Sequence, residues 1–199
     1  MAEPFLTSFV TITAALFLAE LTDKDAILLL TLATKVRART VFFAGSTAFV
    51  LTTVVNVALG AIVSLYVDLG LVKLAGGLVM LAYGLWEVRG VVGQRTIEKE
   101  EKKLESGGSG WRPFLTMVAA LVVLDLAGDA TMVLTIVFMA HYSDAILVFG
   151  ATCLGLIAAV GVETVLGNRI GRVLTPMRLR YVSVVVFVTL GIFIIFSAI

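Results

Sequence analysis

The sequence of 199 residues contains little cysteine, histidine or charge. Its only cysteine, Cys153, excludes an internal disulfide and a cysteine-rich metal site, so zinc and iron–sulfur chemistry are not expected. Charged residues make up 15% of the chain and hydrophobic residues 60%, whereas an average soluble domain is about 25% charged and about 45–50% apolar. This composition excludes an ordinary soluble domain and a disordered chain. The net charge of +1 gives no reason to expect a nucleic-acid partner.

Long uncharged stretches predict membrane-spanning helices. One of them, residues 40–67, contains 28 residues without a charge. Apolar runs such as residues 184–188 lack the alternation of apolar and polar residues that a membrane β-barrel needs. The chain is long enough for six spans of about 20 residues each. We therefore predict an all-α integral membrane protein with six transmembrane helices, near residues 5–34, 40–66, 73–90, 113–140, 145–167 and 181–198.

Basic residues cluster in three of the predicted loops. They follow the first, third and fifth helices, at residues 35–39, 89–112 and 169–180. Because cytoplasmic loops carry an excess of lysine and arginine, these three loops are predicted to be cytoplasmic. Both termini then lie outside.

The two halves of the sequence resemble each other. Asn56 and Gly60 in the first half align with Glu163 and Gly167 in the second. Because each half has three predicted spans, the second half must have the opposite orientation, and the loop charges agree with this. Inverted repeats are typical of secondary transporters, whose binding site lies near the middle of the membrane.

A hydrophilic segment separates the two halves. It contains residues of both charges and ends in a run of glycine and serine, which is typical of a flexible tether. The predicted organisation is a first three-helix repeat at 1–90, a hydrophilic cytoplasmic linker at 91–112 and a second three-helix repeat at 113–199.

Acidic residues lie inside two predicted spans. Because charge within a membrane span is costly, it indicates a functional site by default. Glu20 and Asp23 share one face of the first helix, and Asp125 and Asp129, four residues apart, share one face of the fourth. If the two helices cross at these positions, the four carboxylates converge. On a continuous helix Asp25 points about 140° away from Glu20, so it is expected to serve another surface.

Both acid-bearing helices are too long for a single straight span. Thirty residues of helix measure about 45 Å, against about 30 Å of hydrocarbon, so each of these helices must tilt, project beyond the hydrocarbon or break. A break near Thr22 or Gly128 would free backbone carbonyl groups as additional ligands. Carboxylate, hydroxyl and carbonyl oxygens suit hard cations such as calcium, magnesium or manganese. Since buried carboxyl groups hold protons more readily, a binding cation would expel protons.

A structural role for these acids is the alternative. Lys24 lies one turn after Glu20 and could neutralise it in a buried ion pair, but one lysine cannot neutralise four or five acids. Asp25, Asn56 and Glu163 are further candidates for the pathway or for charge balance, together with Lys24.

At these residues the chain resembles the calcium/manganese–proton antiporter family of the Golgi and of prokaryotic plasma membranes, which belongs to the lysine-exporter superfamily. The hallmark of that family is two copies of Glu-x-Gly-Asp-(Lys/Arg)-(Thr/Ser), one in the first helix of each inverted repeat. The first copy here keeps Glu20, Asp23 and Lys24. Thr22 replaces its glycine and Asp25 replaces its last residue.

The second copy of the motif is less complete. It keeps Gly128, Asp129 and Thr131, but Leu126 stands at the position of its glutamate. Asp125, one residue earlier, is a candidate to replace that missing carboxylate.

The resemblance implies a secondary transporter, not an enzyme, that exchanges manganese or calcium for protons and has no cofactor. The expected cation ligands are six residues: Glu20, Asp23, Asp125, Asp129, Thr22 and Thr131. The expected surroundings are a lipid bilayer, namely a prokaryotic plasma membrane, and the oligomeric state is left open. Two alternatives also stay open: an exporter of an amino acid or another small solute on the same scaffold, and an intramembrane aspartyl protease.

Overall fold

The computed structural model describes residues 2–89, 111–170 and 176–196. These residues form eight helices and no strand, which confirms the all-α prediction for the described part of the chain. The helices are α1 (Ala2–Glu20), α2 (Lys24–Lys35), α3 (Ala38–Tyr66), α4 (Leu69–Arg89), α5 (Trp111–Leu126), α6 (Ala130–Tyr142), α7 (Ala145–Ile170) and α8 (Pro176–Phe196). The predicted linker lies outside the described residues, except for Trp111 and Arg112, which begin α5.

Two of the described helices are long and apolar enough to cross a membrane by themselves. They are α3 and the Ala145–Gly167 part of α7. A third span is added if α5 and α6, which are bent by 62° at the break between them, cross the membrane together. The remaining apolar helical segments, Phe5–Glu20, Leu69–Leu85 and Val184–Phe196, are shorter. The arrangement of six spans therefore stays a prediction.

Of the three alternatives of tilting, projecting and breaking, both long helices break, near Thr22 and Gly128. Helix α1 ends at Glu20 and α2 begins at Lys24, while α5 ends at Leu126 and α6 begins at Ala130. Gly128 has a φ of +100°, a backbone conformation that L side chains rarely adopt, so glycine is the residue suited to this turn. The breaks near Thr22 and Gly128 are thus confirmed.

The hydrogen bonds at each break show how the chain leaves the helix. At the end of α1, the amides of Thr22 and Asp23 bond to carbonyls three residues earlier, at 3.1 and 3.0 Å. The Thr22 hydroxyl donates to the Ala19 carbonyl at 2.9 Å. Asp129 caps the start of α6, because its Oδ1 accepts a hydrogen bond from the Ala130 amide at 2.8 Å. Carbonyl and amide groups that a helix end leaves free are therefore partly bonded at both breaks.

The most extensive helix contacts join the two halves of the chain. Helix α7 packs on α1 and α2, α3 packs on α5 and α6, and α4 packs on α8. Each half thus inserts its longest helix against the broken helix of the other half. This reciprocal packing is the arrangement that two related halves would produce.

Glycines permit the closest approaches in this packing. A Cβ added to Gly60 in α3 would lie 2.7 Å from Cβ of Met139 in α6. A Cβ added to Gly167 in α7 would lie 2.5 Å from the carbonyl oxygen of Leu30 in α2. These two glycines are aligned in the repeat, and each lets a long helix approach the second part of a broken helix.

The distribution of polarity is the reverse of that in a soluble protein. Large apolar side chains such as Leu65, Ile146 and Val185 are exposed on the outside. Acidic, amide and hydroxyl side chains are buried inside, around the two helix breaks. The exterior is thus apolar, while the buried acids lie within a largely apolar core near the breaks, as expected for charged groups in a membrane protein.

Candidate functional site

Asp125 lies in the last turn of α5, is buried, and has hydrogen-bond partners on α3 and α6. Its Oδ1 accepts a hydrogen bond from the Thr131 hydroxyl of α6 at 3.1 Å. Its Oδ2 accepts one from Nδ2 of Asn56 in α3 at 3.4 Å. The Thr52 hydroxyl, one turn before Asn56, donates to the Phe49 carbonyl at 3.3 Å and lies within hydrogen-bond range of Asp125. Neutral donors therefore surround this carboxylate.

Asp129 is fully buried at the break between α5 and α6. Besides its bond to the Ala130 amide, it accepts the Thr131 hydroxyl at its Oδ2 over 3.4 Å. Because a hydroxyl has one proton, Thr131 donates to Asp125 or to Asp129 at any moment. Thr131 therefore links the two carboxylates of the second acidic motif.

Glu20 ends α1 and is fully buried. Neither of its carboxylate oxygens has a hydrogen-bond partner. It lies within range of electrostatic repulsion by four other acids: Asp23, Asp25, Asp125 and Glu163. The end of α1 is therefore a point at which several negative groups meet.

Acids of the two broken helices lie within electrostatic range of each other. Glu20 and Asp23 each interact electrostatically with Asp125. Asp129 joins this group through the hydroxyl of Thr131. The structure thus brings together the carboxylates of the first and second motifs between the two breaks.

The expected position of Asp25 was wrong. It is fully buried and lies close enough to Glu20 and Glu163 to repel both. The prediction assumed a continuous helix from Glu20 to Asp25, with 100° of rotation per residue. The chain leaves the helix at residues 21–23, so that rotation does not apply across the break.

Other predicted residues have more local contacts. The Thr22 hydroxyl donates its proton to carbonyls of the last turn of α1. The lone pairs of its oxygen are still available to bind a cation. Lys24 begins α2, but its side chain, which was predicted to balance charge, lies outside the described part of the structure.

Thr52 and Thr53 are hydroxyl residues inside a predicted span, where such groups more often form bonds between helices than bind a substrate. In the structure both hydroxyls donate to the Phe49 carbonyl of their own helix, at 3.3 and 2.6 Å. Thr52 also approaches Asp125, because it lies one helical turn before Asn56.

The described residues contain no group of three or more His, Cys, Asp or Glu side chains arranged to hold one metal ion. The carboxylates interact through space and through hydroxyl and amide groups. A cation that used several of them as ligands would have to draw their side chains together.

Comparison with known proteins identifies a family that the chain matches. A family model described as "Divalent cation/proton antiporter GDT1" matches residues 8–94 and 114–199, that is, each half of the chain in turn. Searches of curated proteins and of solved structures found no match. The two matched segments contain both helix breaks and the acids at them.

Proposed function

The chain belongs to the divalent cation/proton antiporter family, and we propose that it exchanges manganese or calcium for protons at the acids between the two helix breaks. It is accordingly a multi-pass membrane protein of a transporter family, as its resemblance at the two motifs indicated. The choice between manganese and calcium, and the site itself, are the proposed part.

The observation that supports this site most strongly is Glu20. It is fully buried without a hydrogen bond, beside Asp125 and three further acids. A buried carboxylate is strongly destabilised as an isolated charge, so the group needs bound protons or a bound cation. A divalent cation supplies two positive charges, and two protons supply the same. The exchange of one for the other keeps the charge of the interior nearly constant.

The chemistry of the side chains favours a hard cation as the substrate. Glu20, Asp23, Asp125 and Asp129 supply carboxylate oxygens, which manganese and calcium prefer. Thr22 and Thr131 supply hydroxyl oxygens next to them. No resident cofactor is needed for this exchange, since the acids can hold both substrates.

The reciprocal packing of the halves supports a route for alternating access. Each long helix contacts the broken helix of the other half, so rocking of one half against the other would expose the breaks to either side in turn. We further propose six spans in two inverted repeats, with both termini outside a prokaryotic plasma membrane.

The proposal is tested by transport in proteoliposomes that contain the purified chain and a pH-sensitive dye. Addition of MnCl₂ or CaCl₂ outside is expected to make the lumen more alkaline, because entering cations displace protons outward. Asp23→Asn and Asp129→Asn are expected to abolish this change. Asp144→Asn, which removes a charge from an exposed loop and keeps its capping oxygen, is the matched control. Normal exchange in both site variants would contradict the assignment of the cation site to these acids. The absence of exchange by the unmodified chain with either cation would contradict the proposed exchange function.

A further inference from the structure

The two sides of the acidic region differ at one pair of aligned positions. Asn56 in α3 faces Asp125, to which it donates a hydrogen bond. Its counterpart in the repeat, Glu163 in α7, interacts with Glu20. One side therefore combines an amide with a carboxylate, and the other combines two carboxylates.

Glu163 is buried without any group that stabilises its charge by hydrogen bonding. It is 1% exposed, and neither of its oxygens has a hydrogen-bond partner. The neighbouring Thr164 hydroxyl donates to the Val160 and Gly161 carbonyls of its own helix instead. Glu20 is equally buried and equally without hydrogen bonds. Two such carboxylates within electrostatic range of each other are a costly arrangement unless protons or a cation neutralise them.

The surrounding helices hold this pair in place. Helix α7 packs on both α1 and α2, and it approaches them closely at two glycines. A Cβ added to Gly155 would lie 2.6 Å from the carbonyl oxygen of Thr13, and one added to Gly167 would lie 2.5 Å from that of Leu30. Glu163 lies between these two contact points along α7, so its backbone is fixed against the helix break.

We propose that Glu163 binds the transported divalent cation together with Glu20, on the side of the site formed by α1, α2 and α7. The proposal rests on the exchange function proposed above and extends its ligand set beyond the two acidic motifs. Glu163 stands outside both motif copies, and Leu126 occupies the position of the second motif's glutamate. A glutamate from α7 supplies a carboxylate that the second motif lacks, but on the opposite side of the site.

Asp25 supports this assignment. It begins the first turn of α2, is fully buried, and lies within electrostatic range of both Glu20 and Glu163. Its carboxylate increases the negative potential at which a cation would bind. On the other side the donors from Asn56, Thr52 and Thr131 already offset part of the charge of Asp125.

The test measures binding of Mn²⁺ to the full chain in detergent, with the free ion followed by electron paramagnetic resonance. Glu163→Gln keeps the shape of the side chain and places an amide where the other side has Asn56. We expect its Kd for Mn²⁺ to rise at least tenfold, while Asp144→Asn, which removes an exposed charge, keeps the Kd of the unmodified chain. An unchanged Kd in folded Glu163→Gln would overturn the proposal.

A second variant keeps the proposal testable if Glu163→Gln does not fold. Glu163→Asp retains the charge but withdraws the carboxylate by one methylene, and we expect it to raise the Kd at least threefold. An unchanged Kd in this variant would also overturn the proposal. Loss of binding in Asp129→Asn together with normal binding in the Glu163 variants would refute only this inference. Absence of Mn²⁺ and Ca²⁺ binding by the unmodified chain would refute the proposed function itself.

Discussion

The side-chain amide of Asn56 donates a hydrogen bond to the carboxylate of Asp125 over 3.4 Å, which joins the middle of α3 to the end of α5. The aligned residue on α7 is a glutamate, so the corresponding contact on the other side is a repulsion between Glu163 and Glu20. At this aligned position, one half of the chain therefore has an amide that stabilises a carboxylate, and the other half has a carboxylate that repels one.

Asn56→Asp should make the two sides electrically alike. It removes a donor from Asp125 and adds a second buried carboxylate, which should lower stability by about 1–3 kcal/mol in the absence of divalent cations. Because a bound cation offsets that repulsion, Mn²⁺ should raise the Tm of this variant more than the Tm of the unmodified chain. Thermal unfolding in detergent with EDTA or with MnCl₂ measures both effects. An equal Tm with EDTA would show that the contact between Asn56 and Asp125 contributes nothing.

Gly128→Ala should disturb the break between α5 and α6. The φ of +100° at this residue disfavours a side chain, so the substitution should cost at least about 1 kcal/mol and displace Asp129. We expect a lower Tm and slower cation-driven proton movement. Gly150→Ala is the matched control, because its added Cβ would meet only Phe9 at 3.6 Å, an ordinary contact. Equal behaviour of the two variants would contradict the role assigned to Gly128.

Thr131→Val should weaken cation binding, because it removes the hydroxyl that donates to Asp125 or to Asp129. Hydrogen bonds to charged groups contribute about 1.5–3 kcal/mol, so we expect the Kd for Mn²⁺ to rise about tenfold. Thr131→Ser should restore binding, since it keeps the hydroxyl. Thr164→Val removes a buried hydroxyl that bonds within its own helix and should have a smaller effect. Similar affinities for Mn²⁺ in Thr131→Val and Thr164→Val would argue against a specific role of Thr131 in cation binding.

Cation binding should weaken at low pH. Carboxylate ligands must lose their protons before they bind a metal, so acidification makes protons compete with the cation. The Kd for Mn²⁺ should therefore rise as the pH falls, and binding in weak buffer should release protons. Calorimetry in two buffers of different ionisation enthalpy counts the released protons. Binding without proton release would contradict the coupling on which exchange depends.

The excess length of the first and fourth predicted helices could be seen from physical limits alone. A helix of 30 residues exceeds the hydrocarbon thickness, so it must tilt, project or break, and Gly128 offered a residue suited to a sharp turn. The approach of the acids was predicted only on the condition that the two helices cross there.

Contacts across a break could not be predicted from helix geometry. Asp25 was placed by a rotation that stops applying once the chain leaves the helix at residues 21–23. The approach of Thr52 to Asp125 depends on how α3 packs against α5, and a single sequence does not encode that packing as a visible pattern.

The proposed cation site can be located by diffraction from a crystal soaked in MnCl₂, measured at a wavelength where manganese scatters anomalously. We expect an anomalous peak between the two helix breaks, in contact with carboxylate oxygens of Glu20 or Asp23 from one half and of Asp125 or Asp129 from the other. Manganese peaks confined to exposed loop acids such as Asp68 and Asp144, with none between the breaks, would contradict it.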